Sequence, residues 1–194
     1  MMMKKFIGVF LAIIVLAAFL CSCGEDDSGV PAGMTEVESE FSDVRLFVPR
    51  GWTPDITTGF LSASVQDGSN ISVQIMSVNG VYYSSENDYI INVGASSYNG
   101  LTEYYEKEYL PLISSTFASI TLKEQYSQGQ SLGNENKACK YVYSVTIGDQ
   151  EYEIMQIIAV HGTGIFIFTY TAKASLYEKY LEDVGKITSN IKFK

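Results

Sequence analysis

Few residues in this chain could do covalent or acid–base chemistry. There are three cysteines, Cys21, Cys23 and Cys139, and one histidine, His161. Nucleophilic catalysis needs a nucleophile, a base and an orienting group in one cleft. His161 ends a strand-like run just before Gly162-Thr163-Gly164, which is a turn position. Cys139 alternates with Tyr141 and Tyr143, as a core-facing residue does, and a buried thiol behaves as a small apolar group. Glu151 and Glu153 share one face of a strand and would suit paired-carboxylate work. At the open start of that strand they read as a solvated edge. Structural zinc takes about four Cys or His ligands, and beyond the amino-terminal cysteines the chain offers Cys139 and His161. It has neither an Asp-x-Asp-x-Asp calcium loop nor a Gly-rich phosphate loop before a helix. The expectation is no catalytic residue, no metal site and no cofactor.

The cysteine pattern with definite chemistry is Leu20-Cys21-Ser22-Cys23. Lys4 and Lys5 precede an unbroken run of apolar residues and Gly from Phe6 to Leu20. The run falls short of the about 20 residues of a spanning helix and fits the about 7–15 of an export signal. An uncleaved membrane anchor is the alternative. The end of the run resembles a bacterial lipobox, an aliphatic residue and two small ones before a cysteine that receives lipid. Cys23 fits, with Leu20 three before it and Ser22 directly before it, whereas bulky Phe19 and Leu20 precede Cys21. The competing reading is a signal sequence in which neither cysteine is modified. By the resemblance, residues 1–22 are a signal peptide and Cys23 is the first mature residue. It would carry a diacylglyceryl thioether that anchors the chain on the extracytoplasmic face of a bacterial cell membrane. Each buried methylene contributes about 0.8 kcal/mol, and two or more acyl chains make attachment lasting. Either an outer membrane or a Gram-positive cytoplasmic membrane fits.

Cleavage there removes Lys4 and Lys5 from a chain whose formal charge is already −9. Acidity on this scale argues against nucleic acid and against electrostatic docking on anionic lipid, both of which need Lys and Arg clusters. With Cys21 removed and Cys23 lipidated, no intramolecular disulfide is expected at Cys139. Residues 23–35, rich in Gly, Asp, Ser and Pro, read as a flexible tether, and 36–194 as a single domain.

The elements of that domain follow from periodicity. Val44–Val48, Gly59–Gln66 and Asn70–Val78 read as strands, with Asp67-Gly68-Ser69 as a hairpin turn. A helix is expected from about Thr102 to Leu110, with Leu101, Tyr104, Tyr105 and Tyr109 inward and Pro111 stopping or kinking it. Cys139–Ile147, Glu151–Val160 and Ile165–Thr171 read as strands joined by Gly turns, the last apolar on both faces and so central. Ser175-Leu176-Tyr177-Glu178 reads as a capping box opening a final helix. Short Gly turns demand antiparallel pairing, so the fold class is α+β, an antiparallel sheet of about six strands with helices packed on its faces.

With VRLFVPRGWTPD, then GFLSASVQDGSNISVQIM, then a mid-chain helix, then a meander into FIFTYTAKASLYEKYLEDVGKITSNIKF, the chain resembles the PsbP-like family. That family is named for an extrinsic protein of the photosynthetic oxygen-evolving complex. The resemblance spans about Ser42 to Phe193, and its motifs are Val48-Pro49-Arg50-Gly51-Trp52, Thr169-Tyr170-Thr171-Ala172 and the Tyr177 helix. It implies a non-enzymatic role in binding or assembly.

Tyrosine is abundant, with 14 in the chain. Tyr82, Tyr83, Tyr89 and Tyr98 lie in an aperiodic stretch with Ser, Asn and Gly, the mixture recognition surfaces use. They are the candidate binding surface; the other reading is a loop packing its own tyrosines on the sheet. The expected partner is an envelope protein or component bound by a monomer, with a sugar or peptide stacking on those rings as the alternative.

Overall fold

The apolar residues of Gly164–Lys173 fall on both faces of one strand, and the other elements are placed to cover them. A computed structural model describes residues 29–37, 43–57, 60–76, 78, 80–83 and 89–194. The expected signal peptide, Cys23 and most of the tether lie outside the described residues. Gly33–Lys194 forms one unit.

In chain order the strands are β1 (Met34–Val37), β2 (Val44–Pro49), β3 (Thr53–Thr57), β4 (Phe60–Ser64), β5 (Asn70–Met76), β6 (Gly80–Tyr83), β7 (Tyr89–Val93) and β8 (Ser96–Asn99). A helical segment follows: α1 (Gly100–Tyr104), a π turn (Tyr105–Tyr109) and α2 (Leu110–Ser114). Then come β9 (Ile120–Leu132), β10 (Glu135–Ile147), β11 (Gln150–His161) and β12 (Gly164–Lys173). A 3-10 stretch (Ala174–Tyr180) leads into α3 (Leu181–Asn190) and β13 (Lys192–Phe193).

The central sheet has seven strands in the order β3-β4-β5-β12-β11-β10-β9, and its pairings are antiparallel. Two three-stranded sheets flank it, β1-β2-β13 and β6-β7-β8. The α+β class and the central place of β12 are as expected. Of the six expected strands five lie in this sheet and β2 lies in a separate one, while β3 and β9 extend the two edges to make seven.

Strand alternation divides the core. Phe166, Phe168, Tyr170 and Ala172 of β12 join Ile71, Val73, Met155 and Ile157 on one face, covered by Val44, Leu46 and Val48 of β2 and by Val184 and Ile187 of α3. Ile165 and Ile167 point the other way, with Ile158 and Val160, under Val81, Ile91 and the helical segment. Fully burying a residue of this size contributes about 1.5–3 kcal/mol, so β12, sealed on both sides, is the strand least able to tolerate polar substitution.

The C-terminal helix is tied down at several points. Asp67, in the β4–β5 turn, accepts hydrogen bonds from the Tyr180 hydroxyl at 2.6 Å and from Lys179 at 3.0 Å. Trp52 Nε1 donates to Asp183 at 3.1 Å, and its ring meets Tyr180 edge-on. The expected capping box does not start this helix. Its first turns are 3-10, with Lys173 at the N-cap and no side-chain cap bond. The segment is anchored by Tyr177 instead: the Tyr170 hydroxyl donates to the Tyr177 carbonyl at 2.8 Å and the two rings stack in the core.

Pro111 does not stop the mid-chain helix. The π turn before it widens the backbone, so that the Leu110 N–H bonds to the carbonyl of Tyr105, and α2 continues to Ser114. A widened turn absorbs the missing proline donor and the bulk of its ring. It also brings Tyr104 and Tyr109, five residues apart, onto one buried side with Tyr105.

Candidate docking surface

Beneath the helical segment the interior is filled by side chains. Gln156, on β11, is one of the few buried polar residues, and its bonding capacity is well used. Its amide nitrogen donates to Tyr109 at 3.2 Å and Thr169 at 3.3 Å, while its oxygen accepts from Tyr105 at 3.3 Å. Tyr105 stacks on Tyr141 with 3.6 Å between ring centroids. Burial pushes the Tyr104 hydroxyl up to about 12 and raises those of Tyr105, Tyr141 and Tyr143 further. Burial likewise pushes the Cys139 thiol up, against a contact with the Thr102 hydroxyl at 3.5 Å. The protonated thiol is a poor nucleophile.

His161 has a carboxylate partner, Glu135, at 2.7 Å from Nδ1. Its ring stacks on Phe193, centroids 4.8 Å apart, and meets Phe166 edge-on. It therefore lies on the Phe166 face of the sheet. Cys139 lies on the Ile158 face. The sheet itself separates the base from the one thiol among the described residues. Among those residues no cluster of three or more His, Cys, Asp or Glu could hold a metal ion.

Of the four expected surface tyrosines, Tyr98 is buried, at 7% exposure. Its hydroxyl donates to Glu108 and its ring meets Tyr104 edge-on, so it belongs to the packing under the helical segment rather than to a surface. Tyr82 pairs with Ile90 and Tyr83 with Tyr89 in the ladder of β6 and β7. The side chains of Tyr82, Tyr83 and Tyr89 lie outside the described residues. The stretch read as an irregular connection supplies a three-stranded meander.

The exposed surface lies instead at β9, which sequence periodicity does not mark. Thr121–Tyr126 is solvent-exposed on both faces. Pairing with β10 sets the faces: Ile120 opposes Val145, Leu122 opposes Tyr143, and Glu124 opposes Val142. A register shift between Leu122 and Glu124 makes Lys123 an extra residue, so these two, though two apart, lie on opposite faces. On the face toward the helical segment, Tyr143, Val145 and Ile154 form a small buried cluster lined by half-buried Ile113, Phe117, Ile120 and Tyr152. Leu122 and Ile147, on the same face of their strands, are 44% and 49% exposed, and Leu112, beside Ile113, is 58% exposed. Leu122, paired with Tyr143, adjoins this cluster, and apolar surface continuous with a partly covered cluster marks an interaction site more often than an isolated side chain does.

The opposite face of β9 is charged. Lys123 bonds Glu153 and also feels Glu151 and Glu124, so three carboxylates surround one ammonium. Lys140 is engaged over the Tyr126 ring at 4.5 Å. Glu151 is exposed, but Glu153 is half-buried in its ion pair with Lys123, and β11, which carries both, is an interior strand rather than the solvated edge expected.

This antiparallel sheet, with helices on both faces and the chain order described above, is a PsbP-like fold. The solution structure of cyanobacterial PsbP from Synechocystis sp. PCC 6803 matches with a TM-score of 0.54 at 13% identity, over 90% of this chain and 99% of that one. Lower similarity, at TM-scores of 0.44 and 0.42, joins the chain to two further structures. One is a Pseudomonas aeruginosa protein of unknown function, 13% identical over 80% of this chain and 94% of that one. The other is LpqN of Mycobacterium tuberculosis, described as involved in cell envelope biogenesis, 10% identical over 85% of this chain and 80% of that one. No protein-family model and no curated protein sequence matches the chain. Among the described residues, no helix is long and apolar enough to cross a membrane.

Proposed function

We propose that this chain is a lipid-anchored extracytoplasmic docking protein, tethered through Cys23 and binding a partner protein of the cell envelope without catalysing a reaction. The observation that carries the binding reading is the exposed edge strand β9, with apolar Leu122 open to solvent beside the partly covered Tyr143–Val145–Ile154 cluster. The lipobox-like Leu20-Cys21-Ser22-Cys23 carries the tether. The separation of Cys139 from His161 by the sheet supports a non-enzymatic role. A receptor stacking a sugar or peptide on Tyr82, Tyr83, Tyr89 and Tyr98 is the second reading, and it loses Tyr98, which is buried.

The test is crosslinking in the native membrane, with a Cys23→Ala control. A specific protein should be captured by the wild type and lost or weakened in the variant, which should also leave the membrane fraction. Capture of no protein, under conditions that trap known envelope complexes, would overturn the docking reading. A variant that stays in the membrane would overturn the lipid tether.

A further inference from the structure

We infer that the outer edge of β9 receives an extended segment of the partner as an eighth strand of the central sheet, with side chains that alternate apolar and basic. The inference rests on the docking reading and specifies its mode.

An edge strand presents a row of backbone N–H and C=O groups that a further strand can satisfy, and proteins usually guard such edges. The two edges of this sheet differ in that respect. β3 has five residues, one of them Pro54, which lacks a donor. β9 has 13 residues and no proline, and its guard within Thr121–Tyr126 is the single bulge at Lys123. Its lysine, Lys123, a common guard on edges, is neutralised by Glu153. Thr121–Tyr126 is open to solvent on both faces, so an added strand would meet no covering element.

The chemistry of the two faces selects the incoming strand. Toward the helical segment, an added side chain lands beside exposed Leu122, which adjoins the Tyr143 cluster, with Gln125, bonded to Glu106 at 2.7 Å, further along the strand. Toward α3, it lands beside Glu124, where carboxylates outnumber the ammonium among them. Successive residues of a strand point to opposite faces. A matching strand therefore alternates apolar residues with Lys or Arg. An acidic strand would be repelled by Glu124, and like charges facing one another across an edge cost stability.

The full chain, solubilised in a non-ionic detergent, is titrated with a capped synthetic peptide of alternating Val and Lys. Three control peptides are used: alternating Val and Glu; the same Val and Lys residues arranged in two blocks; and the alternating peptide N-methylated at every second residue, which cannot pair along one edge. Binding of the alternating peptide should slow amide exchange across Thr121–Tyr126. Glu124→Lys and Leu122→Asp should each weaken it about tenfold or more, the loss of one good contact. Both side chains are exposed, so these variants retain the fold. Equal binding by the block or N-methylated peptide, or no added protection in β9, would overturn the inference. Membrane crosslinking that captures a partner at sites remote from β9 would overturn the strand-addition mode and leave the docking reading intact.

Discussion

The backbone N–H of Gly133, in the turn between β9 and β10, donates to the carbonyl of Thr188 at 2.7 Å, pinning that hairpin against the last turns of α3. Gly133 sits at φ +59, and a Cβ built on it would run into the carbonyl of Ile191. Gly129, at φ +71, has the same kind of backbone with open space around it. Gly129→Ala should therefore cost about 1–2 kcal/mol, the left-handed penalty alone. Gly133→Ala adds a backbone clash and should cost more than about 3 kcal/mol. Urea midpoints at unchanged m-value measure both. Equal losses at the two positions would mean that α3 yields freely and that the close approach does not matter.

Asp67 should control part of the acid stability. The Tyr180 hydroxyl, then the Ser69 N–H and the Lys179 ammonium, hold its carboxyl well below the usual carboxylate range. An unfolded Asp titrates near about 3.9. The stabilisation is thus fully present above that value and is lost as pH falls toward the folded one. Asp67→Asn should be less stable than the wild type at pH near neutral, and the two should converge in acid. Melting temperatures that stay separated by the same margin in both conditions would exclude this role.

Gln156 is the polar centre of an otherwise apolar layer. Gln156→Leu would strand the hydroxyls of Tyr105, Tyr109 and Thr169, at about 1–3 kcal/mol for each group left unsatisfied. Gln156→Glu places a carboxyl where burial favours the neutral form, raising its folded pKa above the unfolded value of about 4.3. Its stability should then fall as pH rises through that value, the opposite sense to Asp67. A pH-independent deficit in the Glu variant would mean that the site admits water.

Cys139 should be chemically silent in the native state. It is buried and its thiol is pushed up by desolvation. Labelling by a thiol reagent should proceed no faster than global unfolding and should accelerate in denaturant. Prompt stoichiometric labelling in native buffer would show that the helical segment opens over β10 without unfolding the sheet.

The legible parts of the fold were those with a one-sided or two-sided burial pattern. Cys139, Tyr141, Tyr143 and Val145 alternate with more polar neighbours because one side of β10 faces the helical segment. Ile165–Phe168 is apolar throughout because β12 is covered on both faces. These patterns, with the Gly turns, led to the α+β class and the PsbP-like resemblance. β9 left no such mark. Its residues from Thr121 to Tyr126 are exposed on both faces, so hydrophobicity imposes no period on them. The candidate docking surface was hidden for the same reason. Tyr98 misled in the opposite sense, because its Ser and Asn neighbours look like surface while its own ring packs against Tyr104.

By itself the sequence determined the charge, the lipobox-like Cys23 pattern, the antiparallel class and the central strand, because each is written in local composition or spacing. Tertiary structure decided which edge of the sheet stays open, which face of β9 is apolar and which acidic, and that the base His161 and the thiol of Cys139 stand on opposite sides of the sheet. Those outcomes depend on register, on the extra residue at Lys123 and on long-range pairing, and a pairing partner far along the chain leaves no trace in the residues beside it.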